Sequence, residues 1–222
     1  MLYAAMRFVI APMARLVYRP IVEGRENVPR HGAVIIASNH LSFIDSVVIP
    51  IAAPRTVLFI AKKEYWEGTG LRGAFLRAWF KAMRSIPVER GTHRAAQASL
   101  DAALQVLKDG QAFGIYPEGT RSRDGRLYRG KTGVGWLALT AQVPVVPCAL
   151  IGTDKLQPVG SRIPRFTRVT VRFGKPLAFA PPGTGTTASQ ARRAATDEVM
   201  AAIAAMSPQA LAGVYNESPS SV

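Results

Sequence analysis

A histidine and a carboxylate lie five residues apart in the segment Ser38-Asn39-His40-Leu41-Ser42-Phe43-Ile44-Asp45. The residues before this segment, 33–37, are typical of a buried strand, and the residues from 45 to 52 are typical of a short helix. His40 is therefore predicted at the end of a strand and Asp45 at the start of a helix. A carboxylate that accepts one ring N–H fixes the histidine tautomer and leaves the other nitrogen to take a proton from an alcohol.

The same spacing has a purely structural interpretation. Ser42-x-x-Asp45 matches the capping box, in which the two side chains pair with free backbone N–H groups at a helix N-terminus. In that case Asp45 stabilises the helix start and His40 is an ordinary structural histidine. The spacing alone leaves both interpretations open.

A second polar segment, 114–125, also follows a predicted strand and has the composition of an anion-binding turn. Gly119 allows the backbone to approach a ligand or to adopt a positive φ, and Thr120 and Ser122 offer hydroxyl groups. The guanidinium of Arg121 is a planar fork that suits phosphate. Four further cations, several of them expected to be solvated, follow within ten residues: Arg123, Arg126, Arg129 and Lys131.

These two segments together resemble a known family. Asn39-His-Leu-Ser-Phe-Ile-Asp45 resembles the NHxSxxD block, and Tyr116-Pro-Glu-Gly-Thr-Arg-Ser122 the FPEGTRS block, of the glycerolipid acyltransferases typified by bacterial 1-acyl-sn-glycerol-3-phosphate acyltransferase. Three further segments continue the resemblance, which covers residues 20–180: 86–90, 131–133 and 143–147. The departures are small, since Tyr116 replaces the usual Phe and Glu89 stands where Asp is common.

The resemblance implies an O-acyltransferase that moves an acyl chain from acyl-CoA or acyl carrier protein to 1-acyl-sn-glycerol-3-phosphate, which yields phosphatidic acid. By position, His40 would be the general base and Asp45 its orienting group. The residues that would hold the acceptor are Arg90, Glu118, Gly119, Thr120, Arg121 and Lys131. No acyl-enzyme, metal or bound organic cofactor is implied, so Cys148 is interpreted as a small buried residue. Glycerol 3-phosphate, another lysolipid or a lipid-linked glycan is the alternative acceptor.

The pattern of the whole chain predicts an α/β fold. Strands alternate with helices, which favours one domain with a largely parallel or mixed sheet flanked by helices. We expect an amphipathic helix over 1–20, the acyltransferase domain over 21–206 and a flexible tail over 207–222. Strands are predicted at 33–37, 56–61, 85–88, 111–116, 143–150 and 168–173, and helices at 45–52, 71–83, 94–108, 132–141 and 189–206.

The 222-residue chain carries a net charge of +14, which indicates an anionic partner. No apolar run is long enough to span a membrane, but the apolar stripe of 1–20 and the basic, aromatic helix 71–83 favour peripheral attachment to an anionic membrane surface. Each helix has an alternative interpretation as packing on the protein's own core. We expect a location at the cytoplasmic face of the cell membrane.

Two further interpretations of the basic residues stay open. A nucleic-acid-binding module would also explain a basic chain, although no aromatic stacking motif and no basic tail accompany the charge. The segment 162–175 contains five cations and no acidic residue. It would contact lipid headgroups or an acidic acyl carrier protein, or form a solvated edge strand.

Overall fold

The computed structural model describes residues 11–82, 85–88, 93–161 and 163–217. The helices in these residues are α1 (Ala11–Tyr18), α2 (Asp45–Ala52), α3 (Glu64–Glu67), α4 (Gly70–Ala82), α5 (His93–Lys108), α6 (Gly133–Ala141), α7 (Thr153–Leu156) and α8 (Ala188–Met206). The strands are β1 (Ile21–Glu23), β2 (Val34–Ser38), β3 (Val57–Lys62), β4 (Ile86–Val88), β5 (Ala112–Ile115), β6 (Leu127–Arg129), β7 (Val145–Ile151), β8 (Thr170–Phe173) and β9 (Leu211–Tyr215).

Seven of the described strands form one sheet in the order β1-β8-β7-β2-β5-β3-β4. The strands β7, β2, β5, β3 and β4 are parallel to one another, whereas β8 pairs antiparallel with β7 and β1 runs parallel to β8. The carboxyl ends of the five parallel strands therefore share one edge of the sheet. Because ligands bind outside that edge in open α/β sheets, this edge is where a functional site is expected.

The sheet is buried on both faces, which explains why its central strands carry continuous apolar runs and no alternation. All five residues of β2 are buried, and so are the first six residues of β7. One core lies between the sheet and α2, with Ile36, Ile49 and Phe59 among its members. The other packs α5, α6 and α8 against the opposite face, around Phe113 and Ile203.

The predicted α/β fold with a largely parallel sheet is confirmed, and α2 has the bounds that the sequence predicted. Of the predicted helix over 1–20, residues 11–18 form α1, while residues 1–10 lie outside the described residues. Its attachment to a membrane stays a prediction. Among the described helices, none has the length and apolar character needed to cross a membrane.

The interpretation of 207–222 as a tail without secondary structure requires correction. Residues Leu211–Tyr215 form β9, which pairs with β6 in a two-stranded sheet of its own. No sequence pattern predicts this strand, because every residue of β9 except Ala212 is exposed and no apolar alternation marks it. Residues 218–222 lie outside the described part of the chain, and the predicted domain limits stay predictions.

Candidate active site

Two loops that leave neighbouring strands meet at the carboxyl edge of the sheet. The strand β2 runs into Asn39 and His40, and β5, its parallel neighbour, runs into Tyr116, Pro117 and Glu118. Since adjacent parallel strands end at the same edge, the topology brings together the two polar segments that are separated by more than 70 residues in the sequence. Both predicted motifs therefore contribute to one site.

His40 and Asp45 form a close pair at this edge. The Nδ1 atom of His40 lies 2.9 Å from Oδ2 of Asp45, and the Asp45 side chain is completely buried. A carboxylate can only accept, so this contact assigns the proton to Nδ1 and leaves Nε2 with its lone pair. The His40 side chain keeps 16% of its surface exposed, so an outside molecule can reach the ring.

The capping interpretation holds only in part. The Asp45 carboxylate accepts the backbone N–H groups of Leu41 and Ser42, at 2.7 and 2.8 Å, and the bond to Ser42 is the one expected in a capping box. The helix α2 nevertheless begins only at Asp45, with Ile44 at its N-cap. The other bond of a capping box is missing, because the Ser42 hydroxyl donates to the Gln157 carbonyl at 2.7 Å and caps no helix. The same Asp45 oxygen therefore shapes the turn and faces the histidine.

The His40 ring lies flat on the ring of Tyr116. Their centroids are 3.8 Å apart and their planes differ by 7°, and the Tyr116 hydroxyl hydrogen-bonds to the Ser46 hydroxyl at 2.9 Å. Burial raises the pKa of the Tyr116 phenol well above its ordinary value, with the nearby Asp45 charge acting in the same direction. Tyr116 therefore stays neutral and serves as a flat wall that limits rotation of the imidazole.

Glu118 connects the two loops from below the surface. Its side chain is fully buried, one carboxylate oxygen accepts the His40 N–H at 2.9 Å, and the other accepts the Tyr128 N–H at 3.0 Å. Burial raises the pKa of this carboxyl to about 7, although both backbone hydrogen bonds act against the rise. The geometry favours a positioning role for Glu118 over the contact with an acceptor that the sequence predicted.

The predicted anion-binding residues lie at the surface beside this pair. Gly119 has a φ of +79°, and a Cβ there would lie 3.2 Å from Cδ and Cε of Lys131, so the lysine side chain runs along the glycine. The side chains of Arg121 and Lys131 are exposed and form no ion pair with any described residue, and Thr120 is half-buried.

Two other cations of the turn are already engaged. The Arg126 guanidinium lies 2.6 Å from Asp124 and holds the pKa of that carboxyl well below its usual range. The Arg129 guanidinium stacks over the Tyr215 ring, 5.2 Å from its centroid. Arg121, Arg123 and Lys131 are therefore the cations of this segment that have no ion-pair partner among the described residues, and of these Arg121 and Lys131 are the two predicted to bind the acceptor.

Two sequence predictions concern residues elsewhere. Arg90 lies outside the described residues, and its expected contact with the acceptor stays a prediction. Cys148 lies on β7, is completely buried, and has a thiol pKa that burial raises to about 12. Such a thiol is not a nucleophile at neutral pH. Within the described residues, no group of three or more His, Cys, Asp or Glu side chains could hold a metal ion.

The sequence analysis missed a contribution from the C-terminal segment. The buried Asn39 amide pairs with the backbone of Leu150 through both of its ends, and its remaining N–H donates to Oε1 of Gln209 at 2.6 Å. Gln209 in turn donates to the Gly125 carbonyl, and Asn216 donates to the Arg121 carbonyl. Residues 209 and 216 thus hold both loops of the site, and no periodicity or motif in the sequence marks them.

Comparison with known proteins agrees with this geometry. The family model described as Acyltransferase matches residues 19–151, which is more than half of the chain. The chain belongs to the acyltransferase family. The matched region ends at the last residue of β7, so the site residues Gln209 and Asn216 lie beyond it.

Several relatives of this acyltransferase-family chain carry the same name. A chloroplastic 1-acyl-sn-glycerol-3-phosphate acyltransferase from Arabidopsis thaliana is 34% identical over 72% of this chain and 44% of its own length. The enzymes of that name from Borreliella burgdorferi and Bacillus subtilis are 32% and 28% identical, over 52% and 72% of their lengths. The chain thus spans about half of the first two relatives.

A solved structure shares the fold. The crystal structure of the 1-acyl-sn-glycerophosphate acyltransferase PlsC from Thermotoga maritima superposes with a TM-score of 0.65 at 26% sequence identity. The similarity covers 90% of this chain and 77% of the other.

The buried Glu118 carboxyl makes stability depend on pH. Because its pKa is raised from the ordinary 4.5 to about 7, the folded protein holds this proton more tightly than the unfolded chain. The contribution of Glu118 to the free energy of unfolding is therefore fully present below pH 4.5 and is lost as the pH rises through about 7. The loss is on the order of 3 kcal/mol. Denaturant unfolding from pH 4.5 to 8 should therefore show a steeper decline for the native protein than for Glu118→Gln. Glu198→Gln, at an exposed glutamate of α8, should follow the native curve, and parallel curves for all three proteins would contradict the prediction.

Gln209→Leu should weaken both the fold and the site, because it leaves a buried Asn39 N–H without a partner. We expect the free energy of unfolding to fall by about 1–3 kcal/mol and turnover per folded molecule to fall as well. Gln97→Leu, which removes an exposed side-chain contact with Asp101 on α5, is the matched control and should change stability by less than about 0.5 kcal/mol. Equal effects of the two substitutions on stability and turnover would show that Gln209 does not support the site.

Proposed function

We propose that the chain is an O-acyltransferase that transfers an acyl group from a thioester to the free hydroxyl of 1-acyl-sn-glycerol-3-phosphate, forming phosphatidic acid for phospholipid biosynthesis. The observation that carries the proposal is the contact between His40 and buried Asp45 beside two unpaired surface cations. Membership of the acyltransferase family and the names of the relatives support the reaction class and the acceptor.

The geometry suits direct transfer between the two substrates. The Nε2 atom of His40, which has no hydrogen-bond partner among the described residues, takes the proton of the acceptor hydroxyl as its oxygen attacks the thioester carbonyl. The carbon–sulfur bond then breaks, and the imidazolium returns the proton to the leaving thiolate. The Asp45 carboxylate holds Nδ1–H throughout and stabilises the positive ring by its charge. The reaction needs neither an acyl-enzyme nor a metal.

The acceptor phosphate is assigned to the cations beside the base. Arg121 offers two parallel donors for a phosphate, and Lys131 adds a point charge beside Gly119. Arg90 is a further expected contact. Thr120 brings a hydroxyl to the same surface, whereas the Gly119 N–H already donates to the Tyr116 carbonyl at 3.0 Å, so Gly119 contributes its positive φ and its lack of a side chain. A glycerol phosphate bound here would hold its hydroxyl near His40, which is the condition for an efficient attack.

The proposal also covers the acyl donor and the location of the protein in the cell. Either acyl-CoA or acyl carrier protein supplies the thioester. Glycerol 3-phosphate, another lysolipid or a lipid-linked glycan is the alternative acceptor. We expect the protein to act at the cytoplasmic face of the cell membrane, where its net charge of +14 would meet anionic lipids.

The base is tested by release of free thiol from acyl-CoA in the presence of lysophosphatidic acid. His40→Ala should leave a folded protein whose turnover is lower by about 10² to 10⁴, the usual contribution of a general base. Asp45→Asn keeps the size of the side chain but loses the negative charge, and should also reduce turnover. Near-native turnover of His40→Ala would reject the mechanism, and full activity of Asp45→Asn would leave Asp45 with its turn-forming role alone.

The acceptor site is tested by Arg121→Ala. Loss of a charge-assisted hydrogen bond at this partly solvated position should raise the KM for lysophosphatidic acid about tenfold or more, with little change in the KM for acyl-CoA. Arg123→Ala removes an equally charged, exposed side chain two residues further on and should leave both constants near the native values. A monoacylglycerol, which lacks the phosphate, should respond equally little to both substitutions. An equal rise in both KM values for Arg121→Ala would instead indicate that the turn itself is disturbed.

A further inference from the structure

The described residues contain a surface on which large apolar side chains protrude among cations. It is made of α1, Arg19, Lys155 and the described loop residues 157–161 and 163–168, and we refer to it as the apical surface. In the loop, Ile163 is 77% exposed and Phe166 is 85% exposed, and Val159 also faces solvent. On α1, Met13 and Leu16 are 61% and 70% exposed. Large apolar side chains exposed to this degree in one region mark an interaction surface.

The two parts of the apical surface are joined by direct contact. The Phe166 ring stacks on the Tyr18 ring at the end of α1, with centroids 5.8 Å apart and planes within 19°. The same two residues line a shallow cavity together with Arg19, Thr167 and Arg168. Tyr18 also packs on the core beneath the sheet, so the contact anchors the exposed loop to the body of the protein.

The charge of the apical surface has one sign. Arg19, Lys155, Arg165 and Arg168 are exposed, and the sequence contains no acidic residue from position 155 to position 196. None of these four side chains forms an ion pair with a described residue. Cations that surround protruding apolar side chains are the composition that binds at the interface of an anionic bilayer.

The loop is also tied to the candidate active site. Because β8 runs antiparallel to β7, the connection between them begins and ends at the carboxyl edge of the sheet, where His40 lies. The carbonyl of Gln157, at the start of the loop, accepts the hydroxyl of Ser42 at 2.7 Å. A bilayer that held the loop would therefore lie at the edge of the sheet from which the site opens.

We propose that the apical surface, through Ile163 and Phe166 and the neighbouring arginines, inserts into the headgroup region of an anionic phospholipid bilayer and presents the active site to lipid acceptors. The presentation of the active site to lipid acceptors rests on the proposed function, whereas binding of the surface to a bilayer does not depend on catalysis. An acidic protein partner would explain the cations but not the two protruding apolar side chains. An anionic bilayer explains both.

Binding of the full chain to vesicles tests the surface directly. The probe is co-sedimentation with phosphatidylcholine vesicles that contain or lack phosphatidylglycerol, across a salt series. The double substitution Ile163→Ser and Phe166→Ser should reduce partition into both kinds of vesicle about tenfold or more, because it removes apolar area that the lipid would bury. Arg165→Glu with Arg168→Glu should reduce partition into the anionic vesicles alone and flatten its salt dependence.

A matched control distinguishes binding through this surface from nonspecific adsorption of exposed apolar side chains to the vesicles. Leu211→Ser with Val214→Ser removes two side chains that are 69% and 58% exposed on β9, which is not part of the apical surface, and should leave partition unchanged. Circular dichroism and thermal unfolding confirm that each variant is folded. Equal partition of the native protein and the Ile163/Phe166 variant would overturn the proposal, as would an equal loss in the β9 control.

Two other outcomes would also overturn it. If the arginine substitutions abolish binding to purified acyl carrier protein while vesicle binding stays native, the surface serves the protein donor. If sedimentation shows that the native chain self-associates and the Ile163/Phe166 variant does not, with vesicle binding unchanged, a second copy of the chain covers the apical surface.

The proposed function is tested separately, with a short-chain, water-soluble acceptor and no vesicles. There the native protein and the Ile163/Phe166 variant should turn over equally, and absence of turnover in both would reject the function without touching the vesicle result.

Discussion

A single carboxylate oxygen organises the candidate site. Oδ2 of Asp45 accepts the ring N–H of His40 and the backbone N–H groups of Leu41 and Ser42, all within 2.9 Å. A buried charge is tolerated only when such hydrogen bonds replace water, so the turn that follows β2 must keep this shape while Asp45 is ionised. The turn conformation and the orientation of the imidazole thus depend on the same atom.

The second loop fixes the backbone of the histidine from the other side. The His40 N–H donates to Glu118, and the His40 carbonyl accepts the Ser122 N–H at 2.7 Å. Both peptide groups that flank the side chain are therefore bound by the segment that carries Arg121. The position of the proposed base relative to the segment of the proposed phosphate contact is thus set by two hydrogen bonds of the His40 backbone, one to the buried Glu118 carboxylate and one from the Ser122 N–H. Such prearrangement is what allows a polar site to act without reorganising during a reaction.

Much of this arrangement can be predicted from the sequence, because it depends on local signals. The apolar runs of β2 and β7, the helix from Asp45 and the segment around Gly119 each have a pattern of their own. The spacing of five residues allows His40 to pair with Asp45, and the resemblance to the NHxSxxD block predicts that it does. These features need no knowledge of which distant residues come together.

What could not be predicted depends on tertiary contacts. Glu118 is indistinguishable in sequence from a surface acid, and only the approach of the His40 and Tyr128 backbones explains why it is buried. The reversal of β8 leaves no trace in its apolar pattern, since a parallel and an antiparallel neighbour of β7 bury similar residues. The strand β9 and Gln209 carry no pattern at all, because their role consists of hydrogen bonds to loops far away in the chain.

The bond between Asn39 and Gln209 has a consequence for how the protein is made. The two residues are 170 positions apart, so during synthesis the loop of His40 emerges long before the residue that completes its hydrogen bonds. A contact of such sequence separation closes late in folding, because the entropy of the intervening chain must first be overcome. A growing polypeptide on the ribosome would therefore carry both sequence motifs with one buried amide still unsatisfied. The proposed activity would then begin only as the last strand docks, which ties the onset of lipid chemistry to the completion of the fold.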